Sequence, residues 1–180
     1  MRRLLVLLIA ALVLTGCGQP AKPAVTTPFN DVDVMFLQMG LAQIAEGDEV
    51  AALAVQRAGS AEIRTLATEL RTQWQAESGT MQRWLLGWQQ PLTADPGAGA
   101  HAGHGDLHSL RRSDIAELRA AKGADFDRTA LSLLLGHLHN SVEVTRLEAG
   151  GGAYPPAKDL AATMTQTRLA QIQRMLTLVA

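Results

Sequence analysis

From about residue 30 onward, apolar side chains recur at intervals of three, four or seven, and no stretch alternates with the period of two that a strand requires. The spacing therefore predicts helices only. The first covers residues 30–58, opening on Asn30-Asp31, whose short polar side chains suit an N-cap, and stopping before Gly59. Ser60 caps a second, with Ile63, Leu66, Leu70, Trp74, Met81, Trp84 and Trp88 on one stripe, ending near Gln89 and before Pro91. Residues 90–112 are rich in Gly, Ala and His and read as a linker. A short helix from Ser113 to Ala121 closes at Gly123. A third long helix spans Asp125 to Ala149 and ends at Gly150-Gly151-Gly152. Pro155-Pro156 opens a fourth, with Leu160, Met164, Met175 and Val179 along one side.

Displacing the chain by 94 residues aligns 29–86 with 123–180 without a gap. Eleven of the 58 pairs are identical, among them Asp31/Asp125, Asp33/Asp127, Leu37/Leu131, Glu49/Glu143, Val50/Val144, Leu66/Leu160 and Met81/Met175. Both long helix pairs share this one register. The expected fold is all-α, a four-helix bundle over residues 29–180 built from two pseudo-repeated helical hairpins.

With 47% hydrophobic and 18% charged side chains, 180 residues make one domain, too apolar for a disordered chain. Sixteen basic against seventeen acidic groups argue against a nucleic-acid partner, and a single Cys excludes a disulfide framework or a thiolate metal cluster. Met1-Arg2-Arg3 followed by the apolar run Leu4–Leu14 reads as a signal peptide, residues 1–16, because eleven residues span only ~17 Å of a ~30 Å hydrocarbon core. The run ends Leu14-Thr15-Gly16-Cys17, which resembles the lipobox of bacterial lipoproteins. That resemblance implies a diacylated Cys17 (palmitate being such a chain) and anchoring on the extracytoplasmic face of the cell membrane. Residues 17–28 then form a lipidated Cys and Pro-rich tether. Loss of Arg2 and Arg3 leaves fourteen basic against seventeen acidic groups, so acyl chains rather than charge would hold the protein to the membrane. The preference for Arg over Lys, with abundant Ala and Gly, points to a GC-rich bacterial genome.

The segments Phe29–Met39, Ala121–Arg128 and Met81-Gln-Arg-Trp-Leu-Leu-Gly-Trp88 resemble the domain-of-unknown-function 305 family over roughly residues 29–180. The resemblance implies a ferritin-like four-helix fold, a bacterial envelope location and a loose tie to metals, copper especially, through a pair of adjacent His in each half. This chain departs from that pattern. Its first segment reads Met39-Gly-Leu-Ala-Gln-Ile44 and its second Leu133-Leu-Leu-Gly-His-Leu138, so His137 alone of four imidazoles is kept.

At 100° per residue, Leu131, Leu135, Leu138 and Val142 form one apolar stripe of the third long helix, while Phe126, Leu133, His137 and Val144 form another. The repeat maps His137 onto Gln43, with Met39 one turn earlier and Glu46 nearly one turn later. Imidazole, thioether and carboxamide together could hold a soft ion such as Cu(I), or His137 could be a core side chain hydrogen-bonded to Gln43. His139 points away from His137 and shares a face with Glu143. His101, His104 and His108 form a second candidate cluster in the linker, suited to copper or zinc, or merely a polar linker. No Glu-x-x-His, Gly-x-Ser-x-Gly, phosphate loop or His-Glu-x-x-His occurs, so no enzyme is expected. The expectation is an envelope lipoprotein that binds rather than catalyses, with an accessory role in metal handling. The alternative is a metal-free interaction or scaffold lipoprotein with a degenerate site.

Overall fold

The computed structural model describes residues 28–94 and 110–179. The leader, the tether with Cys17, and the cluster His101, His104 and His108 lie outside the described residues. The described residues form five helices in order: α1 (Asp31–Arg57), α2 (Ala61–Gly87), α3 (Arg112–Ala120), α4 (Gly123–Gly151) and α5 (Pro155–Val179). Among the described residues there is no strand, and no helix is long and apolar enough to cross a membrane.

The α1 start is dictated locally. The Asn30 side chain accepts from the Val32 and Asp33 amides, and the Asp33 carboxylate accepts from the Asn30 amide at 2.6 Å. Ser60 accepts from the Ile63 amide and starts α2. The α4 helix runs past the expected stop at Ala149 to Gly151, with Gly152 as its cap. Glycine costs a helix about 1 kcal/mol relative to alanine, but here Val32 packs on Gly151 while Asn30 Nδ2 donates to the Gly151 carbonyl at 2.9 Å. Gly123 opens α4 with φ +53°, a conformation that glycine adopts freely, instead of closing the short helix before it.

Helices α1 and α2 pack as one hairpin, α4 and α5 as another, and the hairpins meet mainly through α1 against α4. The 94-residue repeat is visible in the packing: Leu37 and Leu131, Val50 and Val144, Ala67 and Ala161, Met81 and Met175 are buried in pairs. It is also visible in the turns. Asp33 on α1 accepts from the amides of Ala153 and Tyr154, which enter α5. Its mate Asp127 on α4 accepts from Gly59 and Ser60, the equivalent positions entering α2. Each hairpin's turn is therefore held by a carboxylate of the other hairpin.

Helices α2 and α5 are joined by an antiparallel ladder of polar side chains. Glu69 meets Arg174 at 2.5 Å on the surface, Gln73 meets Gln171 at 2.7 Å, and Glu77 meets Arg168 in the interior. The short helix α3 sits against α4 and the C-terminal half of α1, where Arg119 pairs with Glu49 and Arg57 donates to the carbonyls of Arg119 and Ala121.

Candidate functional site

The interior around His137 is built by α1, α2, α4 and α5 together. On α1, Gly47 leaves room for the imidazole: a Cβ placed there would stand 2.5 Å from Nε2 and 2.8 Å from the Trp74 ring. Trp74 of α2 meets the His137 ring edge-on at 5.6 Å. One turn beyond His137 on α4, the Ser141 hydroxyl accepts from Arg168 Nε at 3.3 Å. Arg168 reaches from α5 and grips both carboxylate oxygens of Glu77, at 2.8 and 2.5 Å, in the two-pronged geometry a guanidinium favours. The pair is closed to solvent, with side chains 1% and 8% exposed.

His137 is 2% exposed, and its Nδ1 has no hydrogen-bond partner. Burial, and secondarily the Arg168 charge, pull its proton affinity from the ordinary 6.5 down to about 4, so the ring is neutral at physiological pH. The Nε2 edge is pressed on the Gly47 backbone, the opposite nitrogen lies in the core, and a fixed cation stands nearby. An imidazole so enclosed is poorly placed to ligate an ion.

The other expected site residues are placed as follows. Gln43 is buried on α1, one turn before Gly47. Met39 is buried in the cluster of Phe36, Leu37, Met81, Leu85 and Met164. Eight residues separate it from Gly47, about 12 Å along the helix axis. Glu46 is half-buried between them. His139 is exposed, with Nδ1 on the Leu135 carbonyl at 2.8 Å, and Glu143 pairs instead with Arg146. Among the described residues no three His, Cys, Asp or Glu side chains come together as a metal-binding group.

Sequence spacing missed Glu77 and Arg168. The signal was available: Glu77 fills the gap of seven between Trp74 and Met81, and Arg168 stands four residues from both Met164 and Ile172, so both lie on apolar stripes. It also missed Glu148, fully buried and facing Asp33. Burial raises the Glu148 carboxyl to about 8, and the neighbouring Asp33 carboxylate pushes the same way, against a weaker pull from Lys158. Burial works upward on Asp33 as well, but hydrogen bonds from the amides of Asn30, Tyr154 and Ala153 and from Glu148 outweigh it and hold it below 3.8. Glu148 thus carries its proton at neutral pH beside a charged Asp33. A Cβ at Gly152 would run into the Glu148 carboxyl, so any larger residue there would displace that side chain.

A groove of about 1110 Å³ lies between the outer faces of α1 and α2. Leu41, Ile44, Ala42 and Ala45 form its apolar side, and the Asp48–Arg71 pair, at 2.7 Å, lies on its rim.

A helical bundle of two pseudo-repeated hairpins with this interior defines the class of protein. Residues 33–179 match the domain of unknown function DUF305, and the chain belongs to that family. Solved structures with the same fold include a DUF305 fragment from Deinococcus radiodurans, 23% identical over 84% of this chain and 97% of that one, TM-score 0.74. A putative secreted DUF305 protein from Streptomyces coelicolor is 20% identical over 82% and 91% of the two chains, TM-score 0.76. CopM in its Cu(I)-bound form is 20% identical over 81% and 93%, TM-score 0.66. No curated protein matches the chain.

Proposed function

We propose that the protein is a lipid-anchored, non-catalytic binding protein of the bacterial envelope whose bundle interior takes no metal. The observation that carries this reading is the buried Arg168 guanidinium beside His137, the one imidazole kept at the family's paired positions. Copper fits this donor set poorly: Met39 lies in another cluster, Nε2 abuts Gly47, and a fixed positive charge repels a second one. The groove between α1 and α2 offers a concave apolar surface for binding, and Cys17 would supply the anchor.

A second reading, accessory copper handling, is favoured by a specific observation. CopM has been solved with Cu(I), Cu(II) and silver, and this chain carries His101, His104 and His108 within eight residues. Titration of the purified chain with Cu(I), Cu(II) and Zn(II) against a competing chelator separates the two. The first reading expects His137→Ala to leave binding unchanged and expects none beyond the contribution of His101, His104 and His108. Stoichiometric binding abolished by His137→Ala would overturn it. Binding of micromolar strength or better that disappears when those three linker His become Ala would establish the second reading.

A further inference from the structure

The two ends of the bundle differ in kind. One end gathers the start of α1, the end of α2 and the turn from α4 into α5. Of the three Trp, three Phe and one Tyr in the chain, two Trp, one Phe and the Tyr meet there. Phe29 stacks on Trp88 at 4.2 Å, and Tyr154 meets Trp84 and Trp88 edge-on at 5.5 and 5.1 Å. All four rings are only half-buried. Leu86, in the last turn of α2, is 62% exposed, and Leu92 just beyond the helix is 37% exposed. The other end is charged. Arg57 lies over the Phe126 ring at 4.4 Å, Asp127 holds the entry to α2, and Arg119, Lys122, Asp125 and Arg128 crowd the passage from α3 into α4. Indole and phenol rings pair a broad apolar face with one polar group, which suits them to the boundary between water and lipid. The chain enters the fold at the aromatic end: the described residues begin at Pro28, and the twelve positions from Phe29 back to Cys17 span at most ~40 Å. A surface tethered so closely meets a bilayer at high effective concentration, so a patch of a few side chains is enough to seat it.

We infer that the end of the bundle formed by Phe29, Trp84, Trp88, Tyr154, Leu86 and Leu92 is a lipid-facing surface that seats the protein end-on upon the bilayer. The inference rests on the reading that Cys17 is the anchor, and it goes further by fixing how the bundle stands. Helices α1 and α2, each 27 residues and about 40 Å long, then rise from the membrane with the charged end outermost. Leu92 also lines the groove between α1 and α2, so that groove opens at the lipid surface. Among the described residues the other exposed large apolar side chains are Leu169 and Leu176. They stand about 20 and 30 Å along α5 from this end, too far to join the contact.

The test couples the mature chain, residues 17–180, through the thiol of Cys17 to a maleimide-headgroup lipid in vesicles of phosphatidylethanolamine and phosphatidylglycerol. Cys17 is the one cysteine of the chain, and the coupling stands in for acylation. Phosphatidylcholine brominated on its acyl chains, added to the vesicles, quenches indoles that reach it. Trp emission is expected to fall by about half, because Trp84 and Trp88 lie at the proposed surface and Trp74 is enclosed. In Trp84→Phe with Trp88→Phe, which leaves Trp74 alone, no quenching remains. Leu86→Glu with Leu92→Glu abolishes the quenching and leaves the thermal melt unchanged, while Leu169→Glu with Leu176→Glu leaves the quenching as it was. Absence of quenching in the unsubstituted chain would overturn the inference, as would an equal loss in both leucine pairs. So would a dimer in sedimentation velocity that Leu86→Glu dissolves, since the patch would then belong to a second copy of this chain. An unacylated Cys17 in the protein purified from bacterial membranes, read by mass spectrometry, would instead overturn the anchoring reading and leave the result on coupled vesicles standing.

Discussion

His137 and Glu148 are two buried titratable groups whose burial acts in opposite senses. The imidazole's proton affinity falls from 6.5 to about 4, so an unfolded chain takes up a proton the folded one refuses. Its contribution to stability is whole above pH 6.5 and is lost as pH falls toward about 4. The Glu148 carboxyl is raised from 4.5 to about 8, so its contribution is whole below pH 4.5 and is lost as pH rises toward about 8. Each slope is about 1.4 kcal/mol per pH unit. The two cancel between pH 4.5 and 6.5, and only Glu148 acts from 6.5 to 8. Urea denaturation across this range is expected to give a nearly flat stability followed by a fall. Glu148→Gln removes the fall, and His137→Gln makes the flat stretch decline with rising pH. A wild-type chain that gains stability between pH 6.5 and 8 would contradict this assignment. Gly47 is a residue whose identity is fixed by the two rings it faces, His137 and Trp74. Gly47→Ala presses a methyl on the His137 and Trp74 rings and is expected to cost about 1–3 kcal/mol by thermal unfolding, because a packed interior yields little to added volume.

At the scale of helices, the α2–α5 ladder decides which polar contacts matter. Arg168→Met leaves the Glu77 carboxylate buried and unpaired, an expected loss of about 3–5 kcal/mol. Arg168→Met with Glu77→Gln recovers most of it, since no charge is then left uncompensated. Arg174→Ala on the half-exposed outer rung is expected to stay within about 0.5 kcal/mol. Double-mutant cycles in urea distinguish these outcomes. The ladder also marks the limit of what periodicity reveals. Leu66, Leu70, Trp74 and Met81 announce the buried face of α2, and the repeat announces that α5 has the same form. A search for apolar positions steps over Glu77 and Arg168, because a charge on such a stripe is legible as buried only once its partner on another helix is known. Glu148 is hidden for the same reason, its partner Asp33 lying 115 positions away. Helix ends were legible where capping is local, as at Asn30 and Ser60. They were not at Gly151, where contact with α1 overrides the weak helical preference of glycine.

For the whole molecule, the reciprocal turns are the most consequential feature. Asp33 holds the entry to α5 and Asp127 the entry to α2, so neither hairpin keeps its own turn fully bonded without the other. Beside the α2–α5 ladder, one long helix face joins them, α1 on α4. Nothing in that arrangement depends on a covalent link between residues 94 and 110. A gene cut there is expected to yield two polypeptides, each weakly helical alone, that regain the helical signal and a cooperative melt when mixed in equal amounts. Circular dichroism of the separate and combined pieces checks this. Asp127→Ala in one piece should weaken their association by about tenfold, the effect of losing roughly 1.4 kcal/mol of capping. The protein would then behave as a heterodimer whose two similar subunits, related by the 94-residue repeat, happen to be written in one reading frame.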